Sequence, residues 1–600
     1  MFSRTVLSAL LVLIVFVCAS ADTRVADAAM NQNPEVVRSL LKRRADVNGA
    51  QGDGMTALHW AAYWDDVEMM KLLLGAGADV HAVTRVGAIP PLLLACANGD
   101  PAALELLLKA GAEPNSANAN GTTALMMAAA SGNSEAVKLL LDEGADANLR
   151  EVAHGQTALM FAASLNRVAV VKLLLARGAD ANVATSTREQ DKVRFDRDGH
   201  PFYVPPEKKE KSVTPAKVKE LEPPKPVNEA AKSDLLVLSR ALGFQSATVA
   251  IDKPQKGPQL TPPIRVGPEF VGGMTALLYA TREGHKDAVL ALLDGGAAIN
   301  QVNADKFSPL VMAIVNGHLD LANVLLERGA DPNSATLTGI TPLFATIDVQ
   351  WAPHTSYPQP STEQEKISYL DLMKALLKHG ANPNARLGVK PWFRSLFSDP
   401  TWVDPAGATP FWRAAQSSDI AAMRLLIENG ADPKLATKSN NTPLMAAAGV
   451  GWSHNWSVNA PVSPLDAVKY CIELGNDVNA VDSKGYVALH GAGYIGNNEI
   501  VQYLVDKGAK TDVKSKAGDS PADMANGPWR FGIPHPETVA LLEKLGSPNS
   551  HNCRSDKCVV AAKRLTPAEQ AKKDALDKFA AGLGFQSAVY LIDVKATGSN

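Results

Sequence analysis

Net charge is nearly absent from this 600-residue chain: 59 Lys and Arg stand against 62 Asp and Glu, a formal −3. No global basic field therefore draws it to nucleic acid or to anionic lipid. Long apolar runs are equally scarce, and beyond the first twenty residues none reaches 18 uninterrupted positions, which argues against a helical membrane span in the remainder. Cysteine is rare, five in all, and neither C-x-x-C nor C-x-x-C-H occurs, so a thioredoxin-like redox pair and a haem attachment gain no support. Missing too, in any usable context, are H-E-x-x-H, G-x-S-x-G, the phosphate-binding G-x-x-x-x-G-K and a G-x-G-x-x-G following a strand. Nothing here argues for catalysis, a cofactor or a metal. What is present, 46% hydrophobic and 20% charged residues, supplies several cores and is the composition of an ordinary soluble protein.

The first residues read as an export signal (1–21). Arg4 gives positive charge, Val6 to Val17 is almost wholly apolar, and Ala19-Ser20-Ala21 offers small residues for cleavage. The mature chain would begin at Asp22 and be periplasmic or secreted. An uncleaved anchor is the alternative, although the apolar stretch falls short of the roughly 20 residues a bilayer requires. Cys18 would leave with the signal, and Val17 before it is a poor fit to lipidation. Cys96 and Cys471 sit in apolar helical contexts and read as buried small hydrophobes. Cys553 and Cys558, in a polar tail, are candidates for a small disulfide loop in an oxidising compartment.

Self-similarity is the strongest signal. Thr56-Ala57-Leu58-His59 is followed by Ala61-Ala62, by Lys71-Leu72-Leu73-Leu74, and by Gly77-Ala78-Asp79-Val80-His81. The phrase returns at Thr123-Ala124-Leu125 with Gly144-Ala145-Asp146-Ala147-Asn148, and at Thr157-Ala158-Leu159 with Gly178-Ala179-Asp180-Ala181-Asn182. It recurs at Thr275, Ser308, Thr341, Thr409, Thr442, Val487 and Ser520, with Pro90-Pro91-Leu92 a looser copy, and uninterrupted copies lie 33 or 34 residues apart. The Thr is read as the cap of a first helix, and a following Pro, as in Ser308-Pro309, suits the first turn. Small alanines let helices approach, the Leu pair of a second helix fills the core, and Gly-Ala-Asp ends that helix. A single unit cannot bury its apolar face, so stacking supplies the core and the end units must be atypical. Asp27 to Asn48 fits a shortened N-terminal cap and Ser520 to Leu545 a C-terminal one. His59 and His490 hold one place in the phrase and read as structural.

Through these phrases the chain resembles exported bacterial ankyrin-repeat proteins, over about Asp27 to Asn182 and Gly272 to Leu545. The resemblance implies a mainly α fold: an ankyrin-repeat solenoid of helix-turn-helix units with β-hairpin loops. The expected layout is two stacks (22–184 and 272–548), separated by a Pro/Lys/Glu-rich linker (185–271) and followed by a tail (549–600). It also implies a monomeric protein-binding scaffold, with the partner unnamed because ankyrin domains share shape and not target.

Within Val204 to Val227, Pro, Lys and Glu make up 16 of 24 residues, too little apolar surface to fold. Just before it, Val193-Arg194-Phe195 and Phe202-Tyr203-Val204 flank Asp198-Gly199 as a hairpin would. The Asp196/Asp198 pair does not make a calcium loop, because Gly199 falls at position four where position six is required. Leu242-Gly243-Phe244-Gln245-Ser246-Ala247 recurs as Leu583-Gly584-Phe585-Gln586-Ser587-Ala588. Two readings stand: a duplicated helix-strand piece packed on the solenoid, or two linear motifs for one partner.

Partner contacts are expected at the aromatics. Met55, Tyr63 and Trp64 fall where the resemblance places the concave groove. Trp351 and His354 lie in one insertion, Trp452, His454 and Trp456 in a second, and Trp529 and Phe531 in a third. These three fall between the first and second helices of alternate repeats. Trp392, Phe393 and Trp402 belong to a fourth insertion, ahead of Thr409, on the opposite edge. Such residues either anchor a partner or fold back over their own insertions. A metal on His354, His454 and His535 is disfavoured by the distance between alternate repeats. The alternative functional class is a cell-wall or carbohydrate binder, or a hydrolase, whose tryptophans stack on sugar rings. It would want paired carboxylates, which the spacing of Asp348, Glu363, Asp399 and Asp404 does not supply.

Overall fold

The structure, a computed structural model, describes residues 22–189, 192–195, 201–204, 270–352, 362, 364–389, 402–453, 457–528, 532–555 and 557–558. The segment read as an export signal and both LGFQSA copies lie outside these residues. The chain falls into two compact units that divide between Leu337 and Thr338.

Each unit is a series of helix pairs. In unit 1 they are α1/α2 (Arg24–Met30, Pro34–Lys42), α3/α4 (Ala57–Tyr63, Val67–Gly75), α5/α6 (Pro91–Asn98, Pro101–Lys109) and α7/α8 (Ala124–Ser131, Ser134–Asp142). They continue with α9/α10 (Ala158–Ser164, Val168–Ala176), α11/α12 (Ala276–Arg282, Lys286–Asp294) and α13/α14 (Pro309–Val315, Leu319–Glu327). In unit 2 they are α15/α16 (Pro342–Gln350, Tyr369–Lys378), α17/α18 (Pro410–Gln416, Ile420–Glu428) and α19/α20 (Pro443–Ala447, Pro464–Glu473). The last two pairs are α21/α22 (Ala488–Ile495, Asn498–Asp506) and α23/α24 (Pro521–Ala525, Pro536–Lys544). No helix among the described residues is long and apolar enough to cross a membrane.

Local chemistry starts and stops these helices. The hydroxyls of Thr56, Thr123, Thr275, Ser308, Thr341, Thr409, Thr442 and Ser520 each accept the backbone N–H of the third helical residue. Thr157 takes the same extended backbone without that bond. Val487 has no oxygen to offer, so its helix is tied from the other side, Val487 N–H donating to His490 Nδ1 at 3.1 Å. Glycines at the ends of second helices, such as Gly77 and Gly144, stand at φ 86° and 92°. In the atypical first repeat Arg44 holds this place at φ 59°. Buried alanines such as Ala61, Ala62, Ala128 and Ala162 let first helices approach, and Leu73, Leu107, Leu140 and Leu174 of the second helices fill the space behind them.

Two sets of hydrogen bonds set the register between repeats. At six junctions an asparagine just past the second helix reaches the next repeat with both ends of its amide. Asn148 Nδ2 donates to Gly178 O (3.0 Å) and its Oδ1 accepts from Asp180 N (2.8 Å). Asn48, Asn115, Asn384 and Asn479 do the same. Lys434 stands at this position with no acceptor, and the following repeat supplies Asn476, whose Nδ2 donates to Pro433 O (3.1 Å). The fingers between repeats add one backbone rung each, as in Arg85 N to Asp53 O (2.7 Å), Ala119 N to Gly87 O (2.7 Å) and Val152 N to Asn120 O (2.8 Å).

The expected linker between stacks is corrected by these same bonds. Asn182 Nδ2 donates to Gly296 O (3.2 Å) and its Oδ1 accepts from Ala298 N (2.7 Å), so the clamp closes across the long segment as across any neighbouring pair. α9 and α10 pack on α11 and α12. Thr185 N donates to Met274 O (2.9 Å), and β1 (Arg188–Glu189) pairs antiparallel with β4 (Phe270–Val271). The segment thus leaves and re-enters through one finger inside unit 1. Its composition reports poor packing, which sequence reading equates with a spacer, yet composition carries no information about the distance between a segment's ends. Within it, β2 (Lys192–Phe195) pairs with β3 (Pro201–Val204), Val193 opposite Tyr203, as the hairpin reading expects.

Two measurements test this. Replacing Asn148 by Ala removes both arms of one clamp and should destabilise unit 1 by about 1–2 kcal/mol in urea unfolding; an unchanged midpoint would show that apolar burial alone sets the register. His490 is buried and hydrogen-bonded at both nitrogens, with Nε2 on Asp519 O (3.1 Å), and burial lowers its pKa from 6.5 to about 4. The folded state therefore holds the neutral ring. Its contribution is fully present above pH 6.5 and disappears as pH falls from there to about 4, a loss of about 3 kcal/mol. Urea midpoints of wild type and His490→Gln should draw together between pH 7 and pH 4, the wild type falling more steeply; parallel falls would show that His490 is not the titrating group.

Candidate protein interface

A helix capped at its first residue directs positions two, three, five and six into this fold and leaves positions four, seven and eight outward. In unit 1 the fourth positions are Trp60, Leu94, Met127, Phe161, Tyr279 and Met312. All six are large and apolar or aromatic. The first five are half-buried and Met312 is buried. They form one column running from α3 to α13, each on a separate first helix.

The column is broadest at α3. Trp60 lies edge-on to Tyr63 (centroids 5.9 Å) and stacked with Trp64 (6.5 Å), and Tyr63 meets Trp64 edge-on at 4.9 Å. Tyr63 and Trp64 remain 47% and 42% exposed. Both indole N–H groups are satisfied within the protein, Trp60 Nε1 by Gln51 Oε1 (2.8 Å) and Trp64 Nε1 by Met30 O (3.2 Å). Ring surface is thereby left for a partner. Met55, half-buried, lies in the finger before α3. Farther along, Gln156 Nε2 donates to the Tyr279 hydroxyl (3.0 Å), the Arg282 guanidinium lies 5.3 Å from the Tyr279 ring, and Leu165 is exposed beside Phe161.

In unit 2 the fourth positions are Ala345, Arg413, Ala446, Gly491 and Met524, and every one is buried. The unit's own insertions reach three of them, Arg413, Gly491 and Met524. Trp351 Nε1 and the Tyr369 hydroxyl both donate to Asp419 Oδ2, at 2.7 and 2.9 Å, and their rings meet edge-on at 5.9 Å. Arg413 is paired with buried Asp348 at 2.8 Å and donates to Trp351 O (2.6 Å) and to the Ser417 hydroxyl. Trp402 lies edge-on against Tyr486 (4.8 Å) and Tyr494 (5.4 Å), and its indole donates to Trp452 O (3.0 Å). Trp402 and Trp452 pack on a cluster of Val403, Met445, Val450, Tyr486, Tyr494 and Met524. Gly491 permits this, since a Cβ there would stand 2.5 Å from the Val450 nitrogen.

Of the aromatics expected to meet a partner, Tyr63 and Trp64 are therefore open and Met55 is partly so. Trp351, Trp402 and Trp452 fold back onto their own unit, with all three half-buried. His354, Trp392, Phe393, His454, Trp456, Trp529 and Phe531 lie outside the described residues. So do two of the three histidines weighed as a metal site; the third, His535, has its pKa lowered by burial. Sequence reading missed Trp60, Leu94, Met127, Phe161 and Tyr279. Their signal is the residue four places past each capping position, taken across repeats.

Residues 92–185 and 259–336 match a family described as ankyrin repeats (3 copies), and residues 25–74 and 463–505 match one described as ankyrin repeats (many copies). The human ankyrin repeat and SOCS box protein 3 is 34% identical over 112 residues, 18% of this chain and 22% of that protein. Protein PhlB of Serratia liquefaciens is 38% identical over 96 residues, 16% of this chain and 42% of that protein. Protein phosphatase 1 regulatory subunit 27 of Mus musculus is 33% identical over 87 residues, 14% and 56% respectively. The chain thus spans less than two thirds of each of these relatives, and the fold is an ankyrin-repeat solenoid.

The Arg413–Asp348 pair gives the third prediction. Arg413→Ala removes the cation paired with a buried carboxylate and should cost unit 2 about 3–5 kcal/mol, whereas the double replacement Asp348→Leu/Arg413→Met should recover most of the loss in urea unfolding. Equal destabilisation by the single and double variants would show that the pair matters for packing volume and not for charge.

Proposed function

We propose that this ankyrin-repeat solenoid is an exported scaffold, without catalysis of its own, that holds another protein against the first-helix face of unit 1. The observation that carries the reading is the column Trp60, Leu94, Met127, Phe161 and Tyr279, half-buried and uncovered where the matching positions of unit 2 are filled. Apolar surface that the fold leaves open in this way marks an interaction site, and rigid aromatics at its end supply anchors at low entropic cost. A mouse relative that bears the name of a phosphatase regulatory subunit supports binding to another protein in general. Export draws support from Arg4, the Val6 to Val17 run and Ala19-Ser20-Ala21, and from the bond joining Cys553 to Cys558, which an oxidising compartment would maintain. The carbohydrate reading loses ground, because Trp351 and Trp402 spend their ring faces and N–H groups inside unit 2.

The test replaces Met127 and Phe161 together by Ser. A protein retained by the wild-type chain from periplasmic extract and identified by mass spectrometry should bind this variant at least about 30-fold more weakly in calorimetry. The melting temperature should fall by only about a few degrees, since both side chains are half-buried on the outer face and neither belongs to the fully buried core. Undiminished binding would place the contact elsewhere and defeat the reading.

A further inference from the structure

The C-terminal end of unit 2 buries polar groups that its last helices cannot satisfy themselves. α23 is only five residues long, and Ser520, Asp523 and Asp519 around it are buried. Their partners come from the chain beyond α24. Asp523 Oδ1 accepts from Ser550 N (2.7 Å) and from the Ser550 hydroxyl (2.6 Å), and Ser547 Oγ accepts from Ala522 N (3.2 Å). Farther on, the Arg554 guanidinium pairs with Asp519, Arg554 N donates to Gly527 O (3.0 Å), and the Ser555 hydroxyl donates to Gly532 O. Arg554 and Ser555 both lie inside the small ring closed by Cys553 and Cys558, whose Cα atoms are 5.9 Å apart. Asp519 O is in turn the acceptor of His490 Nε2, so this end is wired to α21.

We propose that the Cys553–Cys558 bridge is a reversible redox latch on the last repeat. Oxidised, the ring holds Arg554 and Ser555 against Asp519, Gly527 and Gly532. Reduced, it lets them go, because the partly exposed Arg554–Asp519 pair and the hydrogen bonds to Gly527 and Gly532 do not by themselves offset the entropy of ordering a chain segment. The reductant is a dithiol. One of its thiolates attacks a bridge sulfur, the Cys553–Cys558 bond breaks as a mixed disulfide forms, and the second thiol displaces the remaining cysteine. Two electrons and two protons end on Cys553 and Cys558 as thiols, and the dithiol becomes a disulfide. Cys96 and Cys471 take no part, since both are buried and burial raises their thiol pKa well above the ordinary range.

Hydrogen exchange followed by mass spectrometry on the full chain tests the latch, comparing air-oxidised protein, protein reduced with dithiothreitol, and the Cys553→Ser/Cys558→Ser variant. Reduction should raise exchange by about tenfold or more within 519–528 and 547–558 and leave unit 1 unchanged. The double variant should match reduced wild type and ignore dithiothreitol. Equal exchange in oxidised and reduced protein overturns the proposal, as does a rise spread evenly over unit 2. Alkylation of both cysteines in air-oxidised protein without reductant does so too.

Discussion

Everything in this molecule depends on each repeat finding its neighbour at one register, and two directional interactions supply it: the backbone rungs of the fingers and, at most junctions, the asparagine clamp. Apolar burial between helix pairs is the larger stabilising term, but it is non-directional and would tolerate sliding. An amide that donates to one backbone carbonyl and accepts from a backbone N–H two residues on admits a single placement. The clamp is indifferent to what lies between its halves along the chain. Asn148 closes over an uninterrupted repeat, Asn384 over an insertion and Asn182 over the longest one, with nearly the same distances. Because loop closure costs grow only slowly with length, insertions are cheap wherever the clamp can still form, and that is where the repeats of this chain differ most.

With register fixed, the character of a face is decided by one position per first helix. Large side chains at the fourth place keep the face of unit 1 apolar and uncovered. Small ones in unit 2, Ala345, Ala446 and Gly491, make room for insertions to lie down, and Arg413 adds a charged tie to Asp348 and to the backbone of Trp351. Among the described residues the one scaffold has opposite outcomes: unit 2 turns its aromatics inward, and unit 1 displays them. Trp351, Trp402 and Trp452, which attract the eye in the sequence, are by this argument packing material for unit 2.

Much of the fold was legible from the sequence because its signals are local. The capping Thr and Ser, the glycine that ends most second helices and the apolar settings of Cys96 and Cys471 all rest on residues within about a dozen positions of one another, and the 33-residue period is the recurrence of that one phrase. The parts that were not legible are long-range. Asn148 was visible in its phrase, but its hydrogen-bond partners lie about thirty residues on. Leu94 and Met127 stand in apolar runs where nothing singles them out; only their alignment with Trp60 and Phe161 on adjacent helices turns them into a surface. Whether Trp402 faces its own unit or a partner is set by Tyr486 and Tyr494, far along the chain, and no local pattern reports that. The stretch around Val204 to Val227 shows the same limit, since its composition bears on packing alone and says nothing of Thr185 meeting Met274.

The two ends of the open column differ in a way that bears on how it works. At α3 the aromatics have a second duty: Trp60 holds Gln51, which donates to Asp27 of the first repeat at 2.6 Å, and Trp64 holds Met30. Altering them loosens the terminal repeat, which has one neighbour and least stability to spare, so a loss of binding there would not separate contact from folding. Met127 and Phe161, flanked by repeats on both sides, fasten nothing of this kind. A central, well-supported position is also where interface energy concentrates. The middle of the column is thus the place where surface chemistry and stability come apart, and the anchor at α3 is best understood as a rigid rim whose rings are held in place by the repeat they cap.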